Sequence, residues 1–123
     1  MNNLRGQTDV PSLRERLRTD LRIALKARNA STVNTLRSLL ATIDNAEAVD
    51  IAAAPRAVNG VAPDVARRIL SETDIQAIIA AEAHTYRATL ATYETHGQHT
   101  AAAQIREDLT IIEAYLIDVP SGE

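Results

Sequence analysis

Four cations raise the first chemical question. Arg14, Arg18, Arg22 and Lys26 each stand four residues from the last, the separation at which side chains become neighbours on one face of an α-helix. Such a row suits the phosphates of a nucleic acid, which bind basic side chains with release of counterions. The plainer reading is that the charged heads are solvated and the aliphatic stems cover the edge of a core. A second candidate is Glu82. In helical projection its neighbours are Ile75, Ile79, Tyr86 and Tyr93, so a carboxylate falls on an apolar face, where it needs a partner. Arg37, at the edge of the apolar face of the preceding helix, is the expected partner. One such carboxylate specifies packing rather than catalysis, and Arg37 with Glu82 is expected as a structural ion pair. His96 and His99 lie close to Glu94, but they flank Gly97. Such positions are solvated turn residues, and no metal site is expected there. There is no cysteine, no Gly-rich phosphate loop, no serine elbow and no carboxylate pair set for acid–base work. No catalytic residue and no cofactor are therefore expected.

Helices must position these residues. Ser12 and Glu15 form a Ser-x-x-Glu capping box that starts a first helix, with Leu13, Leu17, Leu21, Ala24 and Leu25 as its buried stripe. Asn29 reads as the cap at its end and Ser31 as the N-cap of a second helix. That helix carries Val33, Leu36, Leu40 and Ile43 on one face, with Leu39 and Arg37 at the edges, and is expected to fade after Glu47 and Val49. Residues 50–63 contain Ala-Ala-Ala-Pro and Asn-Gly without a sustained period and read as a long mobile connection. Pro63 and Asp64 then begin a short turn toward Leu70.

Ser71 and Asp74 cap a third helix with Ile75, Ile78, Ile79, Tyr86, Leu90 and Tyr93 at three- and four-residue steps. Gly97 stops it. A fourth run of Ala101, Ala102, Ile105, Leu109, Ile112 and Leu116 ends before Pro120 and Gly122, with Ile111 projecting from the stripe as an expected surface residue. Short links force antiparallel neighbours. The expected fold is all-α: two antiparallel helical hairpins packed as a small four-helix domain, with a long loop between the hairpins. Residues 1–11 are expected as a flexible N-terminus, 12–117 as the domain and 118–123 as a tail. Its core is expected from Leu17, Leu21, Leu36, Leu40, Ile43, Ile75, Ile79, Leu90, Ile105, Leu109, Ile112 and Leu116.

At 123 residues the chain makes one domain. It has no Phe or Trp, and its only aromatics are Tyr86, Tyr93 and Tyr115, which leaves little surface on which unpaired bases can stack. No apolar run reaches membrane-spanning length and no signal peptide is visible, so no membrane contact is expected and the cytoplasm is the expected location. The net charge of −3 hides a polarity. Residues 1–40 hold eight basic side chains against three acidic ones, whereas residues 71–123 hold two against nine. A basic pole can face a polyanion, or the two poles can hold each other.

Several short motifs in order resemble the YqeY-like proteins, which are related to the tail region of the GatB subunit of tRNA-dependent amidotransferases. In the first hairpin these are Ala27-Arg28, Thr35-Leu36-Arg37-Ser38-Leu39-Leu40, Ile43 and Asn45-Ala46-Glu47. In the second they are Leu70-Ser71-Glu72-Thr73-Asp74, Glu82, Tyr93-Glu94 before Gly97, and Ile112-Glu113-Ala114-Tyr115-Leu116. The likeness runs from about residue 12 to residue 117. It implies a noncatalytic module ancillary to tRNA-dependent amidation, a glutamine-dependent carbon–nitrogen ligation, with tRNA or an amidotransferase-like protein as partner. Two departures accompany it. Where the family commonly has basic residues in the third helix, this chain has His84, Thr85 and Tyr86 with Arg87 alone as a cation. The family also commonly continues past the position of Pro120 into a small second helical module, so this sequence reads as a short form. The alternative is a protein–protein interaction module with no nucleic-acid binding, resting on Ile111 and an alanine-rich surface.

Overall fold

A computed structural model describes residues 11–52, with 49–52 as backbone only, and residues 70–116. The N-terminal lead-in before Pro11, the turn expected at Pro63, the tail and most of the expected 50–63 connection lie outside the described residues. Four helices are described, in the order α1 (Leu13–Ala27), α2 (Ala30–Ala52), α3 (Glu72–Thr95) and α4 (His99–Glu113). The fold is all-α, as expected. Helix α2 runs past Glu47 and Val49 to Ala52, further than its apolar period alone indicated.

Both hairpins start and turn by the same devices. Ser12 Oγ accepts from the Glu15 amide at 3.1 Å while Glu15 returns a carboxylate to the Ser12 amide at 3.3 Å. Ser71 and Asp74 repeat this exchange at 3.0 and 3.1 Å. Each pair satisfies two N–H groups that a helix start would otherwise leave without partners. At the other end of α1, the Asn29 amide reaches the Ala24 carbonyl and the Arg28 amide reaches that of Leu25, at 3.0 and 3.1 Å. At the end of α3, Gln98 and Gly97 do the same toward Tyr93 and Glu94, at 2.9 and 3.1 Å. This crossed pair of bonds requires a left-handed residue. Gly97 supplies it at φ 67°, but in the first hairpin Arg28 supplies it at φ 58°. Asn29 was expected to close α1; instead its side chain accepts the Thr32 amide at 3.2 Å and opens α2, leaving Ser31 inside the helix.

The hairpins pack so that α2 and α3 each touch the three other helices, while α1 and α4 occupy opposite corners. One core runs through all of them: Leu13 and Leu17 from α1, Leu36, Leu39 and Ile43 from α2, Ile75, Ile79 and Ala83 from α3, and Leu109 and Ile112 from α4. Tyr115, in the turn that follows α4, completes it. Of the expected core residues, Leu17, Leu36, Ile43, Ile75, Ile79, Leu109 and Ile112 are buried, and Leu21, Leu40, Leu90, Ile105 and Leu116 are half-buried.

Three expectations are corrected. Leu39 is central, at 1% exposure, and Leu40 is at the margin, because the buried arc of α2 is turned toward Thr35, itself buried. Leu25 was placed in the stripe of α1 but is 45% exposed. It lies 100° of helical rotation beyond Ala24, outside the arc that α2 and α3 cover. Ile111, expected to project from the surface, is half-buried and packs against the core.

Polar bonds join the hairpins where the core ends. Glu72 accepts the Leu13 amide at 2.7 Å and Glu47 accepts the Leu70 amide at 3.1 Å. Thr35 donates to Asp108 at 3.2 Å, and the Tyr115 hydroxyl donates to Asp20 at 2.5 Å. Each ties segments distant in sequence, and those from Leu13 and to Asp20 fix how α1 sits on the second hairpin.

Candidate functional site

The four cations of α1 do not share one environment. Arg14, at 17% side-chain exposure, lies against α2, where its guanidinium meets Asp44 at 3.2 Å and Glu47 at 2.7 Å. Glu47 also holds the Leu70 amide, so Arg14 belongs to a junction between α1, α2 and the start of the second hairpin. It is a structural cation. Arg18, Arg22 and Lys26 are exposed and make no ion pair among the described residues. Arg22 also bonds to Thr19, at 3.3 Å on the same surface. Arg28, held outward by its left-handed backbone, is exposed too. The two large apolar side chains that stand exposed among the described residues, Ile23 at 60% and Leu25 at 45%, border this row on its two sides in helical projection.

Arg16 is used differently again. Its guanidinium carbon sits 5.2 Å from the centre of the Tyr115 ring, within the range of a cation–π contact. Burial, and then the hydrogen bond to Asp20, push the Tyr115 hydroxyl well above its ordinary range, with Arg16 opposing. The Tyr86 hydroxyl is also raised, by burial first and then by the charges of Asp108 and Glu82, against a bond from Ser38.

In the second hairpin both cations are consumed internally. Arg87 meets Glu113 at 3.1 Å and Arg106 meets Glu94 at 2.8 Å, each bridging α3 and α4. The structure does not bring Arg37 and Glu82 into an ion pair. The turned arc of α2 leaves Arg37 exposed, and Glu82 is half-buried, so water reaches the carboxylate and the need for a buried partner falls away. His96 and His99 are exposed, with His96 Nδ1 2.9 Å from the Thr92 carbonyl at the end of α3. Among the described residues no three acidic or histidine side chains are grouped to hold a metal ion, and no helix is long and apolar enough to cross a membrane.

The outward row on α1 is thus Arg18, Arg22 and Lys26, extended toward the hairpin turn by Arg28. Sequence spacing found three of these four and added Arg14. The signal that would have removed Arg14 is the pair Asp44 and Glu47, three residues apart on a helix forced antiparallel to α1. Arg28 had no periodic signal, because it stands in the turn.

A family model described as Yqey-like protein matches residues 14–120. No curated protein and no solved structure matches the chain.

Proposed function

The chain belongs to the YqeY-like family, and on that premise we propose that it is a noncatalytic RNA-facing module, ancillary to tRNA-dependent amidation, which contacts RNA phosphates through Arg18, Arg22 and Lys26. The observation that carries the reading is the set of exposed cations on one edge of α1 that meet no carboxylate among the described residues. Side chains already neutralised inside a fold release few counterions on binding, whereas unpaired ones can bind phosphate at full charge. The resemblance to the amidotransferase tail supplies tRNA as the RNA.

Binding of bulk tRNA at two salt concentrations tests it, with wild type compared with the triple variant Arg18→Glu, Arg22→Glu, Lys26→Glu. Salt-sensitive binding by wild type that the variant loses is the expected result. Failure of wild type to bind at low salt overturns the proposal. A second reading, a protein contact on the same edge, is favoured by exposed Ile23 and Leu25, which replace Ile111 as the apolar candidates. It predicts association with a protein partner that Ile23→Asp abolishes, without any affinity for tRNA.

A further inference from the structure

We infer that α1 recognises the backbone of paired, double-helical RNA rather than an unpaired strand; this deepens the RNA reading and rests on it. The row of cations is rigidly held. Arg18, Arg22 and Lys26 ride on a helix fixed at its start by the Ser12–Glu15 capping box and by Glu72 on the Leu13 amide. At its end it is fixed by the crossed bonds around Arg28, and along its inner side by the Arg14 junction and the Asp20–Tyr115 bond. The three Cα positions therefore hold a straight row about 12 Å long, about 6 Å per step. A nucleic-acid duplex presents about one charge per 1.7 Å of axis in a stiff array, against about one per 3.4 Å along a single strand. A row that does not bend gains most from an array that does not bend either.

The aromatic side chains lie away from this edge. Unpaired strands are held largely by bases stacked on aromatic rings. All three tyrosines are placed elsewhere: Tyr115 is 5% exposed beneath Arg16, Tyr86 packs on the core, and Tyr93 is half-buried on α3. The outer edge of α1 offers Arg18, Thr19, Arg22, Ile23 and Lys26, a set able to hold phosphates but without a ring on which an unpaired base could stack. Such contacts position a protein without specifying sequence.

The test compares a 16-base-pair RNA duplex with oligo(U) of the same total nucleotide number, each titrated by fluorescence anisotropy across a salt series. The expected result is tighter duplex binding by about tenfold or more. The duplex slope of log K against log salt should be near −3, reduced by about one unit in Arg18→Gln and unchanged when the duplex sequence is scrambled. Circular dichroism of Arg18→Gln guards against loss of fold. Equal or tighter binding of oligo(U) overturns the duplex inference while RNA contact itself stands. Binding of neither ligand overturns both.

Discussion

The two hairpins share a plan and differ in where they spend their charges. In the second, Arg87 and Arg106 each cross between α3 and α4 to a carboxylate; in the first, Arg14 is turned onto the facing carboxylates of α2, and Arg18, Arg22 and Lys26 stay outward. The contrast teaches that net charge is a poor guide to the charge of any one edge of the molecule. The chain carries −3 overall, yet a basic edge stands at the corner of the bundle opposite α4.

If the difference between hairpins lies at the surface alone, a core truncation in one must unfold both. Ile79 is fully buried in the common core, and Ile79→Ala should cost about 3 kcal/mol in a single denaturant transition. Two separate transitions would divide the hairpins into independent units. A smaller effect comes from the latch between α1 and the end of the second hairpin. Tyr115→Phe removes the hydroxyl that donates to Asp20 and should cost about 1 kcal/mol near neutral pH.

The same latch has a pH signature. A hydroxyl whose pKa is raised in the folded state contributes stability that is fully present below its ordinary value of 10.0 and is lost as pH rises above it. Wild type should therefore lose stability above about pH 10 more steeply than Tyr115→Phe, as read by urea unfolding at pH 8 and pH 11. Parallel declines would remove Tyr115 from the alkaline response.

The turns sharpen the comparison further, because the same bonds are closed by arginine in one hairpin and glycine in the other. Arg28→Gly should raise stability by about 1 kcal/mol through relief of the left-handed strain. Gly97→Ala should lower it by about the same amount, wholly from backbone conformation, since a methyl there would meet nothing within 4 Å. Thermal midpoints moving in the same direction would break the equivalence of the turns. Smallest of all is Arg87→Ala. Both partners of its ion pair are well exposed, at 51% and 41%, and about 0.5 kcal/mol or less is expected.

Much of this architecture was legible in the sequence, for identifiable reasons. Capping boxes at Ser12 and Ser71 and the glycine at 97 are local devices, so their spacing alone announced them. The first turn was misread because Arg28 occupies a position that glycine or asparagine normally marks. The phase of α2 was misread for another reason: Leu39-Leu40 and Thr35-Leu36 allow two apolar arcs, and only contact with α3 and α4 selects the one through Leu39. That choice also parted Arg37 from Glu82. Along α1, a four-residue period put Arg14 in line with Arg18, but periodicity describes one helix and cannot see the carboxylates that α2 brings across.

Arg14 and Arg18 stand one helical turn apart, the first turned onto carboxylates and the second outward. Measuring both urea stability and the salt slope of tRNA binding for Arg14→Gln and Arg18→Gln tests this division of labour directly. The prediction is that Arg14→Gln loses about 2 kcal/mol of stability with the slope kept, and that Arg18→Gln keeps its stability and loses about one unit of slope. A stable Arg14→Gln with a reduced slope would contradict this division between a structural and a contact cation.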